Sequence, residues 1–156
     1  MTRPALLIGL GNPDRGDDAV GLHVVRRLAA RGLPGVTVAE ADGDTLTLLD
    51  RWAAAARVVL VDATEPAGQP GRIHRLDPMS GPLPRELGLG STHGFGLAEA
   101  VELARALGRL PARMTIFAIE AAHFEHGAAL SAPVAASVTA ATALIVAELA
   151  EGLTDA

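Results

Sequence analysis

The 156-residue chain has no cysteine and no tyrosine. The first absence excludes disulfides, zinc–thiolate centres and cysteine nucleophiles. Aromatic residues amount to 3%, too few for platforms on which bases or sugars stack. Positive charge is also scarce: 13 Lys and Arg stand against 18 Asp and Glu, a net charge of −5, so a nucleic-acid partner is not expected. No apolar run is expected to reach the roughly 18 residues of a membrane span. The start, "MTRPALLIGL", has one arginine and passes straight into a strand-like run with no cleavage site for a signal peptide. The expectation is a cytoplasmic protein without a membrane partner.

What is present is a 49% apolar composition, enough for one domain over residues 1–156 with a core of Leu, Val, Ile and Ala. Residues 5–9, "ALLIG", read as a buried strand. Residues 19–31 place Val20, Val24 and Leu28 on one helical face, with arginines late in the helix and Gly32 as the stop. A strand follows at 36–40, a helix at 45–56, and a fully apolar strand at 58–61, "VVLV", ending at Asp62. Residues 71–76 read as a short edge strand and 78–90 as a Pro- and Gly-rich loop. A helix is expected at 94–107, a strand at 114–119, an irregular segment at 120–130, and a last helix from Ser131 to about Gly152, with Pro133 in its first turn.

Apolar strands alternating with amphipathic helices imply an α/β fold. The expected architecture has three layers: a doubly wound, mainly parallel, twisted sheet of about five strands with helices on both faces. In such sheets the site lies beyond the C-terminal ends of the strands. That rule selects residues 12–18, Asp42 to Thr45, Asp62 and Glu120, with His93 joining from the loop before a helix.

The stretch "LIGLGNPDRGDDAVGLHVVRRL" carries adjacent aspartates where its helix begins. A phosphate loop would put N–H groups and a lysine there; this one puts negative charge. Asp17 fits a helix cap, which leaves Asp18 spare near the strand ends. Asp62 is expected at a strand exit. His93, near a helix N-terminus capped by Ser91 or Thr92, is held in its neutral, ligand-competent form. Two carboxylates and an imidazole converging from three junctions suit a first-row ion such as zinc or nickel and leave coordination positions open. His123 and His126, in "AAHFEHG", lack a zinc-peptidase motif and read as a surface loop; they are the basis of an alternative, a self-sufficient metallopeptidase. His23 and His74 read as helix-flank and edge-strand residues. No Gly-x-Ser-x-Gly elbow supports a serine triad.

The segments "LLIGLGNPDRGDDAVGLHVVRRL", "DGDT" at 42–45, "VLVDAT" at 59–64, "STHGFGLAEAVELA" at 91–104 and "IEAAHFEHGAALSAPV" at 119–134 occur in this order. Together they resemble the hydrogenase maturation proteases along nearly the whole chain. The resemblance implies an endopeptidase that removes a short C-terminal extension from the large-subunit precursor of a nickel–iron hydrogenase after nickel insertion. It implies further that Asp18, Asp62 and His93 contact the nickel, which the precursor supplies rather than the protease. Asp18 stands where some members have Glu. The "DGDT" loop, with Asp42 and Thr45, matches a family segment associated with positioning the substrate, and Asn12 and Asp17 are expected to assist. The family leans to a monomer without a nucleotide cofactor.

Two other families share part of these motifs. Peptidyl-tRNA hydrolases also carry Gly-Leu-Gly-Asn-Pro, but their histidine ten residues after the asparagine is Leu22 here. A Rossmann-like nucleotide-binding module would need Gly-x-Gly-x-x-Gly; here the glycines stand at 9, 11 and 16, and two aspartates would repel a pyrophosphate.

Overall fold

The computed structural model describes residues 5–42, 45–89 and 96–154, with the side chains of 45, 46 and 152–154 left aside. Strand β1 (Ala5–Leu10) leads through a single 3-10 turn, Gly16–Ala19, into helix α1 (Val20–Arg31). Then come β2 (Val36–Ala41), α2 (Thr45–Ala53), β3 (Arg57–Thr64), β4 (Ile73–Leu76), α3 (Leu97–Leu107), β5 (Arg113–Glu120) and α4 (Ala132–Thr154). The sheet order is β2-β1-β3-β5-β4. All pairings are parallel except that of β4 with β5. The expected α/β architecture is therefore the observed one, including the short edge strand.

Alternation along the strands builds two cores. Val58 and Leu60 of β3 pack with Leu48 and Trp52 of α2 and Val101 of α3. Val59 and Val61 point the other way, onto Val20, Val24 and Leu28 of α1 and Val138 and Ile145 of α4. Each helix thus buries one apolar stripe against one face of the sheet.

α4 corrects an expectation. Residues Ala132–Glu151 are long and apolar enough, by length and composition alone, to cross a membrane. Alanines account for the misreading: they break no helix and carry no charge, yet Val134, Val138, Ala141, Ile145 and Leu149 lie buried on the sheet. The start of α3 also differs from its expected boundary. The helix begins at Leu97, and Glu99 reaches back to accept a hydrogen bond from the Gly96 amide at 3.0 Å. The expected caps Ser91 and Thr92 lie outside the described residues.

The order reverses at β1, which has β2 on one side and β3 on the other, so the crevice between β1 and β3 is where a ligand site is expected. Gly21 brings α1 down onto this crevice. A Cβ there would meet the Val61 carbonyl at 2.4 Å and the Leu10 carbonyl at 2.6 Å. Neither backbone can give way, so Gly21→Ala is expected to lower stability by about 2 kcal/mol or more, read as a fall in the urea midpoint; an unchanged midpoint would refute this packing.

Candidate active site

The loop after β1 is shaped by its own polar side chains. Asn12 accepts a hydrogen bond from the Asp14 amide at 2.9 Å, and the Asn12 amide donates to Asp18 Oδ2 at 2.9 Å. Gly11 has φ +145, and a Cβ on it would lie 1.9 Å from the Asp18 carbonyl. Only glycine lets the chain double back this tightly, which puts Asp18 over the end of β1.

The adjacent aspartates have separate environments. Asp17 does not cap α1: the capping position is Ala19, with no side-chain hydrogen bond. Asp17 is fully buried. Its Oδ1 accepts from the Ser131 amide at 2.7 Å, and its Oδ2 accepts from the Ala122 amide at 2.8 Å and the Ser131 hydroxyl at 2.8 Å. Burial works to raise its pKa, but these donors outweigh it and hold the carboxyl below the usual range. The expected role of Asp17 in positioning substrate is therefore corrected to one of holding the loop against the 121–131 segment. Asp18, one residue on, is partly exposed, and its charge is felt at Asp62.

Asp62 is not at the strand exit, because β3 continues to Thr64. It sits one residue beyond the last β1–β3 pair, Gly9 with Val61, so no β1 residue covers that flank. It shares the α2/α3 face with Val58 and Leu60. Only 4% of it is exposed. Burial, and then the charge of Asp18, push its pKa up to about 7, against the opposing hydrogen bond from the Ala63 amide. Asp18 and Asp62 are thus brought together as a repelling pair in the crevice.

The other candidates divide. Glu120 lies beyond Ile119 at the end of β5, buried, and its Oε2 accepts from the amides of Ala67 and Gln69 at 3.2 and 2.5 Å. It clamps the loop after β3. Asp42 is exposed at the end of β2, and Thr45 opens α2. His123 Nδ1 accepts from the Glu125 amide at 3.4 Å, and His126 Nδ1 lies 3.2 Å from the Asp14 carbonyl. The His123 imidazole thus bonds within its own turn and that of His126 reaches the 12–18 loop, and among the described residues no three His, Cys, Asp or Glu side chains gather around a common point. His93 lies outside the described residues. Sequence reasoning missed Ser131, which reads as an ordinary helix-start serine; nothing local marks its bond to Asp17.

Among the described residues, two cavities open on either side of the β1–β3 crevice along the C-terminal edge of the sheet. One of about 360 Å³ lies beside β2, touching Gly11 and Pro13. The other, about 500 Å³, lies beyond Asp62 and is lined by Thr64, Glu65, His74, Leu87 and Glu120. A polypeptide laid across the pair has room on both sides.

A parallel sheet carrying an acid pair at its switch point, between two clefts, suits a hydrolase acting on an extended chain. The family model for hydrogenase maturation protease matches residues 22–148, and the chain belongs to that family of peptide-bond hydrolases, which process the C-terminus of the hydrogenase large subunit. Among solved structures, the chain is similar to the hydrogenase-maturating endopeptidase HybD from E. coli, with 25% identity, 96% of this chain and 93% of that one covered, and a TM-score of 0.77. It is similar also to the [NiFe] hydrogenase maturation protease HybD from Thermococcus kodakarensis, at 26% identity, 96% and 98% coverage and a TM-score of 0.70. A solution structure of an endopeptidase from Escherichia coli shares the fold, with 24% identity, 96% and 93% coverage and a TM-score of 0.82. No curated protein matches.

Proposed function

We propose that this protein cuts a C-terminal extension from a nickel-loaded large-subunit precursor of a [NiFe] hydrogenase, with Asp18, Asp62 and His93 meeting the nickel. The metal belongs to the substrate. The observation that carries the reading is the acid pair: Asp62 is buried, and Asp18 pushes its pKa up further. A cation entering between the two carboxylates relieves that repulsion and draws the proton from Asp62. Carboxylate and imidazole are ligands that nickel accepts. The site thereby responds to the loaded precursor, and the cation aligns the polypeptide across the crevice. Asp42, which lines the cleft beside β2, and Thr45 help seat that polypeptide, and the protein acts in the cytoplasm as a monomer.

Mass spectrometry of the precursor from the same organism tests this. Loss of a C-terminal peptide is expected with nickel inserted and not without it. Asp18→Ala and His93→Ala are expected to lose processing and keep the fold. Cleavage of the nickel-free precursor would discard metal recognition, and full activity of either variant would discard the site.

A further inference from the structure

The cleft beside β2 is built from both sides of the sheet. Leu22 and Arg26 come from α1, which packs on one face, while Leu48 and Arg51 come from α2, on the other. Together they wrap around the C-terminal end of β2, an edge strand paired with β1 alone.

The backbone of β2 has a definite polarity. The Gly35 and Ala41 carbonyls accept from Ala5 and Gly11, on the β1 side. Odd-numbered residues therefore direct their amides and carbonyls toward β1, and even-numbered ones direct theirs outward. Val36 spends its amide on the Leu33 carbonyl at 3.2 Å. Val38 and Glu40 present an outward ladder, and the Glu40 carbonyl takes only a long 3.5 Å hydrogen bond from Arg51 Nη1. The Glu40 carboxylate is occupied differently: it receives Arg26 in a bidentate pair at 2.9 and 2.8 Å. That pair neutralises one wall of the cleft. The guanidinium of Arg51 sits in the cleft, held at a distance where a neutral acceptor gains it little.

We propose that this cleft is a subsite for the precursor's C-terminal extension, which adds as an extended strand on the free edge of β2 and delivers a carboxylate to Arg51. The inference rests on the maturation reading above. Strand addition satisfies the outward groups of Val38 and Glu40 with main-chain hydrogen bonds, independent of side-chain identity. Leu22 and Leu48 provide an apolar floor. Arg51 exchanges its long bond to a carbonyl for a charge-assisted bond to a carboxylate, which selects for the segment. Pro13 and Gly11 connect the cleft to the loop that carries Asp18, so an extension seated here runs toward the acid pair. The carboxylate comes either from an acidic side chain or from the chain terminus.

The test measures processing of the nickel-loaded precursor by the wild type and by Arg51→Glu, together with amide exchange in the presence of a peptide copying the precursor's last residues. KM is expected to rise about tenfold or more in Arg51→Glu, with kcat little changed. The Val38 and Glu40 amides are expected to exchange more slowly when the peptide binds. Weaker binding of a C-terminally amidated peptide assigns the contact to the chain terminus; equal binding assigns it to an acidic side chain. Arg51→Glu with an unaltered KM, or a peptide that binds without protecting β2, overturns the subsite and leaves the maturation reading standing. A precursor that the wild type does not cut removes both.

Discussion

Asp62→Asn is expected to abolish processing while making the protein more stable at pH 8. The reason is the direction in which its pKa is moved. The ordinary Asp value of 3.8 rises to about 7 in the fold, so the native state favours the protonated form. Asp62 contributes stability that is fully present in acid and is lost as pH climbs from about 4 through 7. The full loss is bounded by about 4 kcal/mol. Asparagine has nearly the same shape and cannot ionise, so its stability curve lacks that decline. Urea midpoints of both proteins between pH 4 and 8 check this: the gap is expected to open between about pH 4 and 7, with the variant above, and to stay constant at higher pH. Parallel curves would mean that Asp62 is not a buried, repelled carboxyl. Such a residue weakens the fold on its own, and under the proposed function that cost accompanies a carboxylate placed to meet the substrate's cation.

The neighbouring aspartates are expected to fail in opposite ways. Asp17→Ala removes the buried acceptor for the Ala122 and Ser131 amides and the Ser131 hydroxyl, whose own residues are half-buried. The expected loss is about 2–4 kcal/mol, because three charge-assisted hydrogen bonds go at once and the loop loses its tie to the 121–131 segment. Asp18→Ala gives up one hydrogen bond, from the Asn12 amide, at a partly exposed position, so it is expected to unfold near the wild-type midpoint and to process nothing. Equilibrium unfolding separates the two. Near-equal midpoints would show that the 12–18 loop is not fastened through Asp17. The pH signs also differ. The lowered pKa of Asp17 gives stability that is present above the ordinary carboxylate range and lost as acid protonates it, so acid weakens the Asp17 tie while it favours Asp62.

The two aspartates also mark how far local sequence carries the argument. Strand and helix periods are properties of neighbouring residues, and the alternation of "VVLV" or the spacing of Val20, Val24 and Leu28 is enough to specify which face each element buries. The parallel sheet, its helices on both faces and the edge strand followed from those patterns, and the motifs in their order pointed to the family. That Asp18 and Asp62 lie toward the C-terminal ends of β1 and β3 also followed, although β3 runs two residues past Asp62 to Thr64. Charge and hydrogen bonding are settled by residues far along the chain. Asp17 and Asp18 are adjacent and chemically identical; what divides them is Ala122 and Ser131, 105 and 114 residues away. Glu120 looked like a site acid because it ends a strand, yet its carboxylate holds the amides of Ala67 and Gln69. Asp62 owes its raised pKa to burial, which no local pattern encodes. The apolar length of α4 was legible only as composition, and the sheet against which it packs decided that five of its residues are core. The sequence by itself determined the elements, their order and the acids at the strand ends. Tertiary packing alone decided which of those acids is spent on the fold, as Asp17 and Glu120 are, and which is buried beside another carboxyl, as Asp62 is.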